Sequence, residues 1–220
     1  MIENKVQSEF LLTIKSLKPK WDNLCQRLEI PSSGFDEIVN RYSEPHRFYH
    51  NLNHINHCLE ELTSVKPPLY IPEAVELAIW FHDIIYVIGN NDNEEKSAQV
   101  AKNFCQKNIS TQAFSHQVES HILATKHTFP SENSDSQYVA DIDMSILGQS
   151  PDVFDRYEFQ VYQEYSSFYS LADYQKGRIS FLKTVLEHPI YSTGYFKNKY
   201  EQSAKINIQK SIQNLEKQLP

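Results

Sequence analysis

Three short stretches of this chain place side chains able to bind a metal or move a proton inside otherwise apolar sequence. The first is Arg47-Phe48-Tyr49-His50-Asn51-Leu52-Asn53-His54-Ile55. Its two histidines are four residues apart, a spacing that puts both on one face of a helix. Ile55, Leu59 and Leu62 follow at helical spacing and anchor that face in a core. The second, Trp80-Phe81-His82-Asp83-Ile84, sets a histidine–aspartate pair near the end of an apolar helix. The third, residues 139–147, carries Asp141 and Asp143 among Val139, Ile142, Met144 and Ile146. Burying ionisable groups in such company is costly unless they are paired or bound to a metal. Taken singly, each has an ordinary explanation: a satisfied core histidine, a helix cap, a solvent-facing carboxylate. Three separate apolar helices that each contribute nitrogen or oxygen donors point instead to one shared site.

The elements that must position these donors read as helices. Phe10, Ile14 and Leu17 lie on one face of a first helix, with Leu11 beside them, and a second helix covers 33–42 with Ser32-Ser33 as its cap. A third is expected from near His46 until Pro67-Pro68 stops it. A fourth starts at Pro72, a first-turn position, and runs to about Tyr86. Asp92 or Asn93 caps the next, where Glu94-Glu95 favour a helix start. Helices then cover 93–108, 115–126, 136–147, 152–168, 171–187 and 193–218, and the polar stretch 129–136 reads as a loop that is free to move. Only five glycines occur in 220 residues, which suits long helices joined by few loops. No strand-like alternation persists, and no repeat or composition shift marks a second domain. The expectation is an all-α, single-domain multi-helix bundle over 1–220. Its donor-bearing core spans about 40–150 and further packing helices fill 152–218.

Composition narrows the function. A net charge of −7 argues against a nucleic-acid surface, which needs a basic stripe. Cys25, Cys58 and Cys105 are far apart with no CxxC pair, and read as reduced thiols of a cytoplasmic protein, two of them inside helices. Neither a signal peptide nor a membrane-spanning segment is expected.

The ordered set YHNLNHI, WFHDIIY, NEEKSA, ILATKH, DIDMSILG and GRISFL resembles a branch of small HD-superfamily metal-dependent phosphohydrolases over roughly residues 40–210. Tyr49-His50-Asn51-x-x-His54 is also similar to the YHNxxH motif of the helical cyclic-nucleotide phosphodiesterases, which share that metal site. The resemblance implies an HD-type helical domain in which His54, His82, Asp83 and Asp143 hold a divalent ion. Asp143 matches the last ligand better than Asp141, because Asp-Met-Ser fits the family's pattern there; Asp141 is the alternative. Two imidazoles and two carboxylates suit Mn, Mg, Fe, Co, Ni or Zn rather than a thiolate-preferring ion.

The implied chemistry is hydrolysis of a phosphate ester or anhydride, of a nucleotide or related small metabolite, by a metal-activated water. Asp83 would help orient that water, and His50 either protonates the leaving group or orients the site by a hydrogen bond. Arg47, Lys126 and Arg178 lie within family motifs and are the cations expected to meet substrate phosphate. Glu94, Glu95 and His127 are expected beside them, although the two glutamates also fit a plain helix start and His127 a surface position. Tyr162 stands where that branch carries an arginine ahead of Glu-Tyr, so one substrate contact would be missing. Two other readings stay open: a non-catalytic HD module that binds a nucleotide or metal, and a di-iron HD-type oxygenase, which would need further histidine ligands.

Overall fold

In the computed structural model, residues 2–66, 68–109, 111–128 and 131–219 are described. Among them are ten α-helices and two short 3-10 turns, Ser32–Gly34 and Met144–Gly148, and no strand. The helices are α1 (Ile2–Arg27), α2 (Phe35–Tyr42), α3 (Leu52–Ser64), α4 (Pro72–Phe81), α5 (Asn93–Asn108), α6 (Gln112–Ala124), α7 (Ser134–Asp143), α8 (Pro151–Tyr165), α9 (Leu171–Leu186) and α10 (Gly194–Gln218). The all-α expectation holds. Two compact units divide at Val139–Ala140, inside α7. No described helix is long and apolar enough to cross a membrane.

The first unit is organised around α4. Ala74, Val75, Leu77, Ala78, Ile79, Trp80 and Phe81 are all buried, so this helix is apolar over most of its surface and needs neighbours around it. Helices α1, α3, α5 and α6 supply them. The Trp21 ring of α1 meets the Trp80 ring edge-on at 5.4 Å, and its indole N–H donates to the Ser32 carbonyl at 3.0 Å. The start of α4 is tied down by Asp135, whose carboxylate accepts from the Tyr70 and Ile71 amides at 3.0 and 2.9 Å. Cys25, Cys58 and Cys105 are all free and buried inside helices, one more than the sequence reading placed there. Burial pushes the Cys25 thiol up to about 11 and the Cys105 thiol to about 12, so neither is a ready nucleophile.

In the second unit α10 packs on α9 and on the 3-10 turn Met144–Gly148. A Cβ on Gly148 would sit 2.4 Å from the Tyr200 Cβ, so only glycine fits there. The Asn207 amide, also on α10, donates to the Leu147 and Gln149 carbonyls, both at 2.9 Å, and fixes the turn.

Several boundaries differ from the periodicity reading, three of them next to the candidate donors. Helix α3 begins at Leu52 rather than near His46, because Asn51 is its N-cap: the side chain accepts from the Asn53 amide at 2.8 Å. Helix α4 stops at Phe81 rather than near Tyr86. The chain beyond it has its backbone groups satisfied by side chains from elsewhere, as detailed below. The stretch expected as one helix over 136–147 is α7 followed by a 3-10 turn. Within the loop expected at 129–136, Phe129 and Pro130 lie outside the described residues, as does Pro67 of the expected Pro67-Pro68 stop. Helix α7 has already begun by Ser134.

Candidate metal centre

His54 lies in the first turn of α3 and is 2% exposed; His82 is the C-cap of α4 and also 2% exposed. Their Nε2 atoms face each other at 3.0 Å. The Asp83 Oδ2 lies 3.1 Å from the His82 Nε2 and 3.6 Å from the His54 Nε2. The His82 Nδ1 sits 2.9 Å from the Ile79 carbonyl. A proton on that nitrogen is donated to the carbonyl, which leaves the Nε2 lone pair facing the other donors.

Two lone pairs cannot approach this closely without a proton or a cation between them. The observed spacing therefore fits two nitrogens that would share a proton or an ion. Within the first unit His54 and His82 offer ligand atoms that could hold a metal ion; Asp143, the last residue of α7, belongs to the second unit.

Asp141 is engaged in other work. Its Oδ1 accepts from the Ser192 amide at 2.7 Å; its Oδ2 accepts from the Thr193 amide at 2.7 Å and the Thr193 hydroxyl at 2.6 Å. It thereby ties down the segment entering α10, whose N-cap is Thr193.

His50 is not on a helix, so it does not share a helix face with His54 as the spacing predicts. It precedes the Asn51 cap, with its ring stacked on Tyr86 at 4.2 Å between centroids and 6.0 Å from the His54 ring. Tyr86 is also stacked against His46 at 6.2 Å, and its carbonyl lies 2.9 Å from the His46 Nε2. The imidazole of His50 is thus held beside the donors by an aromatic stack rather than by helical register.

Arg47 is 6% exposed, with its guanidinium aimed inward. It donates to the Glu44 carboxylate at 2.9 Å and to three carbonyls: Asp83 at 2.6 Å, His50 at 3.1 Å and Ile84 at 3.2 Å. The rings of Tyr42 and Tyr86 lie 5.1 and 5.4 Å from it. This one side chain therefore fixes the backbone of both the His50 turn and the Asp83 turn. Ser97 continues the same task, pairing with the Ile85 amide and carbonyl at 3.1 and 3.3 Å. Asn93 does so for the Val87 amide and carbonyl, both at 3.0 Å.

The remaining candidates separate into two places. In the first unit, burial and then the nearby Asp83 carboxylate hold the Glu94 carboxyl above the ordinary glutamate range. Lys126 pairs with Glu95 and donates to the Asn91 carbonyl at 2.7 Å; the hydrogen bond raises the lysine's pKa and lowers that of the glutamate. His127 is exposed, in a left-handed backbone conformation with φ 53. In the second unit Arg178 donates to Glu158 and, at 2.7 Å, to the Tyr157 hydroxyl, with the Tyr157 and Phe181 rings about it. Tyr162 meets Tyr174 edge-on at 5.1 Å.

Tyr42 went unremarked in the sequence, where it reads only as the last apolar position of α2. Its buried hydroxyl donates to the Trp80 carbonyl at 3.2 Å and accepts from the Asp83 amide at 3.2 Å. Burial raises its pKa well above the ordinary tyrosine value, so it serves as a neutral bridge. Its spacing from Phe35 and Ile38 carries no hint of that role.

Comparison with models of known protein families, with characterised proteins and with solved structures found no match.

Proposed function

We propose that the protein is a metal-dependent phosphohydrolase of the HD type, acting on a phosphate ester or anhydride of a nucleotide or similar small metabolite. The observation that carries this reading is the convergence of the two buried imidazole nitrogens, 3.0 Å apart, with the Asp83 carboxylate beside both. His54, His82, Asp83 and Asp143 would hold the ion. When bound, a divalent ion neutralises phosphoryl charge and acidifies water, in the zinc case from a pKa of about 15.7 to about 7.

The chain's own residues account for the rest. His50, stacked on Tyr86, is the group in place to hand a proton to a leaving oxygen. Arg47, through the His50 and Asp83 carbonyls, keeps proton donor and carboxylate in fixed relation. Glu94, with its raised pKa, gives the Asp83 side of the site a second proton-exchanging group.

One observation favours a second reading. Arg47, Lys126 and Arg178 are each engaged by protein acceptors, and expected phosphate contacts that are already occupied fit a non-catalytic nucleotide- or metal-binding module. The two readings part in one experiment. The purified protein is stripped with chelator, then assayed on phosphomonoesters, diesters and nucleoside phosphates with Mn, Mg, Co, Ni or Zn restored singly. A hydrolase loses turnover on chelation and regains it with at least one ion. A binding module retains metal and yields no turnover with any.

A further inference from the structure

The first unit holds a cavity of about 540 Å³, whose lining includes Phe81 and Ile84 but none of the candidate metal donors. Small-molecule sites span roughly 300–1,000 Å³ and combine an apolar body with a few polar groups at defined places. The apolar part is supplied by Ile38, Phe81 and Ile84, all buried, with Val100 and Phe104 half-buried beside them. The Phe81 and Phe104 rings lie 5.1 Å apart and form an aromatic wall. Gly34 keeps that wall close to the backbone, since a Cβ there would come within 3.1 Å of the Phe104 ring.

The polar members are Ser33, Glu37, Asn103 and Lys107, all exposed, and Asn108. Glu37 and Lys107 carry opposite charges, and among the described residues neither has an ion-pair or hydrogen-bond partner. Most other charged side chains in this unit have found one: Arg27 with Glu73 and Glu76, Lys102 with Glu119, Lys126 with Glu95. The Ser33 hydroxyl is likewise unengaged among the described residues, and the Asn103 side chain uses only its oxygen, which accepts from Gln99. One cavity therefore offers an aromatic wall, one cation, one anion, a hydroxyl and an amide N–H.

A plain carboxylic acid would satisfy Lys107 and meet Glu37 as a like charge; a plain amine would do the reverse. A molecule bearing both charges on one carbon, with a flat apolar body, satisfies all of these groups together. We propose that this cavity, which has none of the candidate metal donors in its lining, is a binding site for a small aromatic zwitterion of the aromatic α-amino acid build.

The test uses the full chain freed of metal, with heat of binding as the readout, so its result does not depend on the hydrolase reading. L-tryptophan is titrated beside indole-3-propionate, which lacks the ammonium, and tryptamine, which lacks the carboxylate. The expectation is one saturable site for tryptophan with a Kd of about 1 mM or tighter. Each analogue should bind about five-fold more weakly, the effect of losing one rim ion pair worth about 1 kcal/mol. Lys107→Gln and Glu37→Gln should each weaken tryptophan by a similar factor. Asn103→Trp, at an exposed position of α5, should fill the cavity mouth and weaken binding at least ten-fold without moving the melting temperature. Should that variant fail to fold, the two exposed charge variants still decide. No saturable tryptophan binding, equal affinity for the three ligands, or indifference to the charge substitutions would each overturn the proposal.

Discussion

His82 and His121 begin from the same local chemistry and end in opposite roles. Both belong to the first unit, both sit in apolar helical sequence, and their exposures are 2% and 0%. Both also engage Nδ1 close at hand: His82 with the Ile79 carbonyl at 2.9 Å, His121 with the Ser136 hydroxyl at 2.8 Å. The difference lies at Nε2. In His82 it faces a second imidazole and a carboxylate. In His121 it is buried with no hydrogen-bond partner among the described residues. The one carboxylate near His121, Asp135, is spent on the Tyr70 and Ile71 amides. Burial alone therefore does not mark a site. What separates the two environments is whether the second nitrogen meets other donors.

The comparison can be broken most directly by mutation. His54→Ala or Asp83→Ala should lower metal affinity by more than about 100-fold and abolish turnover, since the site loses one of few donors. His121→Ala should leave the metal content, read by elemental analysis, unchanged. Equal metal loss in all three would mean that the two histidine environments do not differ as argued. His50→Ala should retain the ion yet turn over about 10²–10⁴-fold more slowly, the range expected for a lost general acid. An unchanged rate would leave His50 an aromatic spacer between Tyr86 and His54.

The donors were legible in the sequence because His54, His82, Asp83 and Asp143 each interrupt an apolar run, and such interruptions need a reason. The helical architecture was legible from periodicity for the same physical cause: a buried face repeats every 3.6 residues. What stayed hidden was non-local. Arg47 reads as a motif cation available to substrate, but two of its acceptors are carbonyls 36 and 37 residues away in the chain, and local pattern does not report them. The early stop of α4 has the same origin, in side chains from Arg47, Asn93 and Ser97 that satisfy the backbone after Phe81. The start of α3 was within reach: Asn51 is a strong N-cap type, and the apparent helical spacing of His50 and His54 masked it.

The smallest effect is expected from pH, and it concerns His121, whose Nε2 has no hydrogen-bond partner among the described residues. Burial lowers the pKa of His121 from its ordinary value of 6.5 to about 4, and the nearby Asp135 does not restore it. In the unfolded chain the same imidazole takes up a proton near pH 6.5. Between those values the unfolded state binds more protons than the folded one, so stability rises with pH across the window and falls on acidification. The stability His121 contributes is fully present above about pH 6.5, is lost progressively toward pH 4, and amounts to about 3 kcal/mol over the whole span. Urea midpoints measured from pH 7 to pH 4 on the wild type and on His121→Gln, which keeps a polar group opposite Ser136, isolate this term. Other carboxylates titrate in both proteins and cancel in the difference. The wild type should lose stability more steeply than the variant, with the divergence beginning near pH 6.5. Parallel curves would mean that His121 takes its proton while folded, and that its environment resembles that of His82 more closely than the burial of its Nε2 implies.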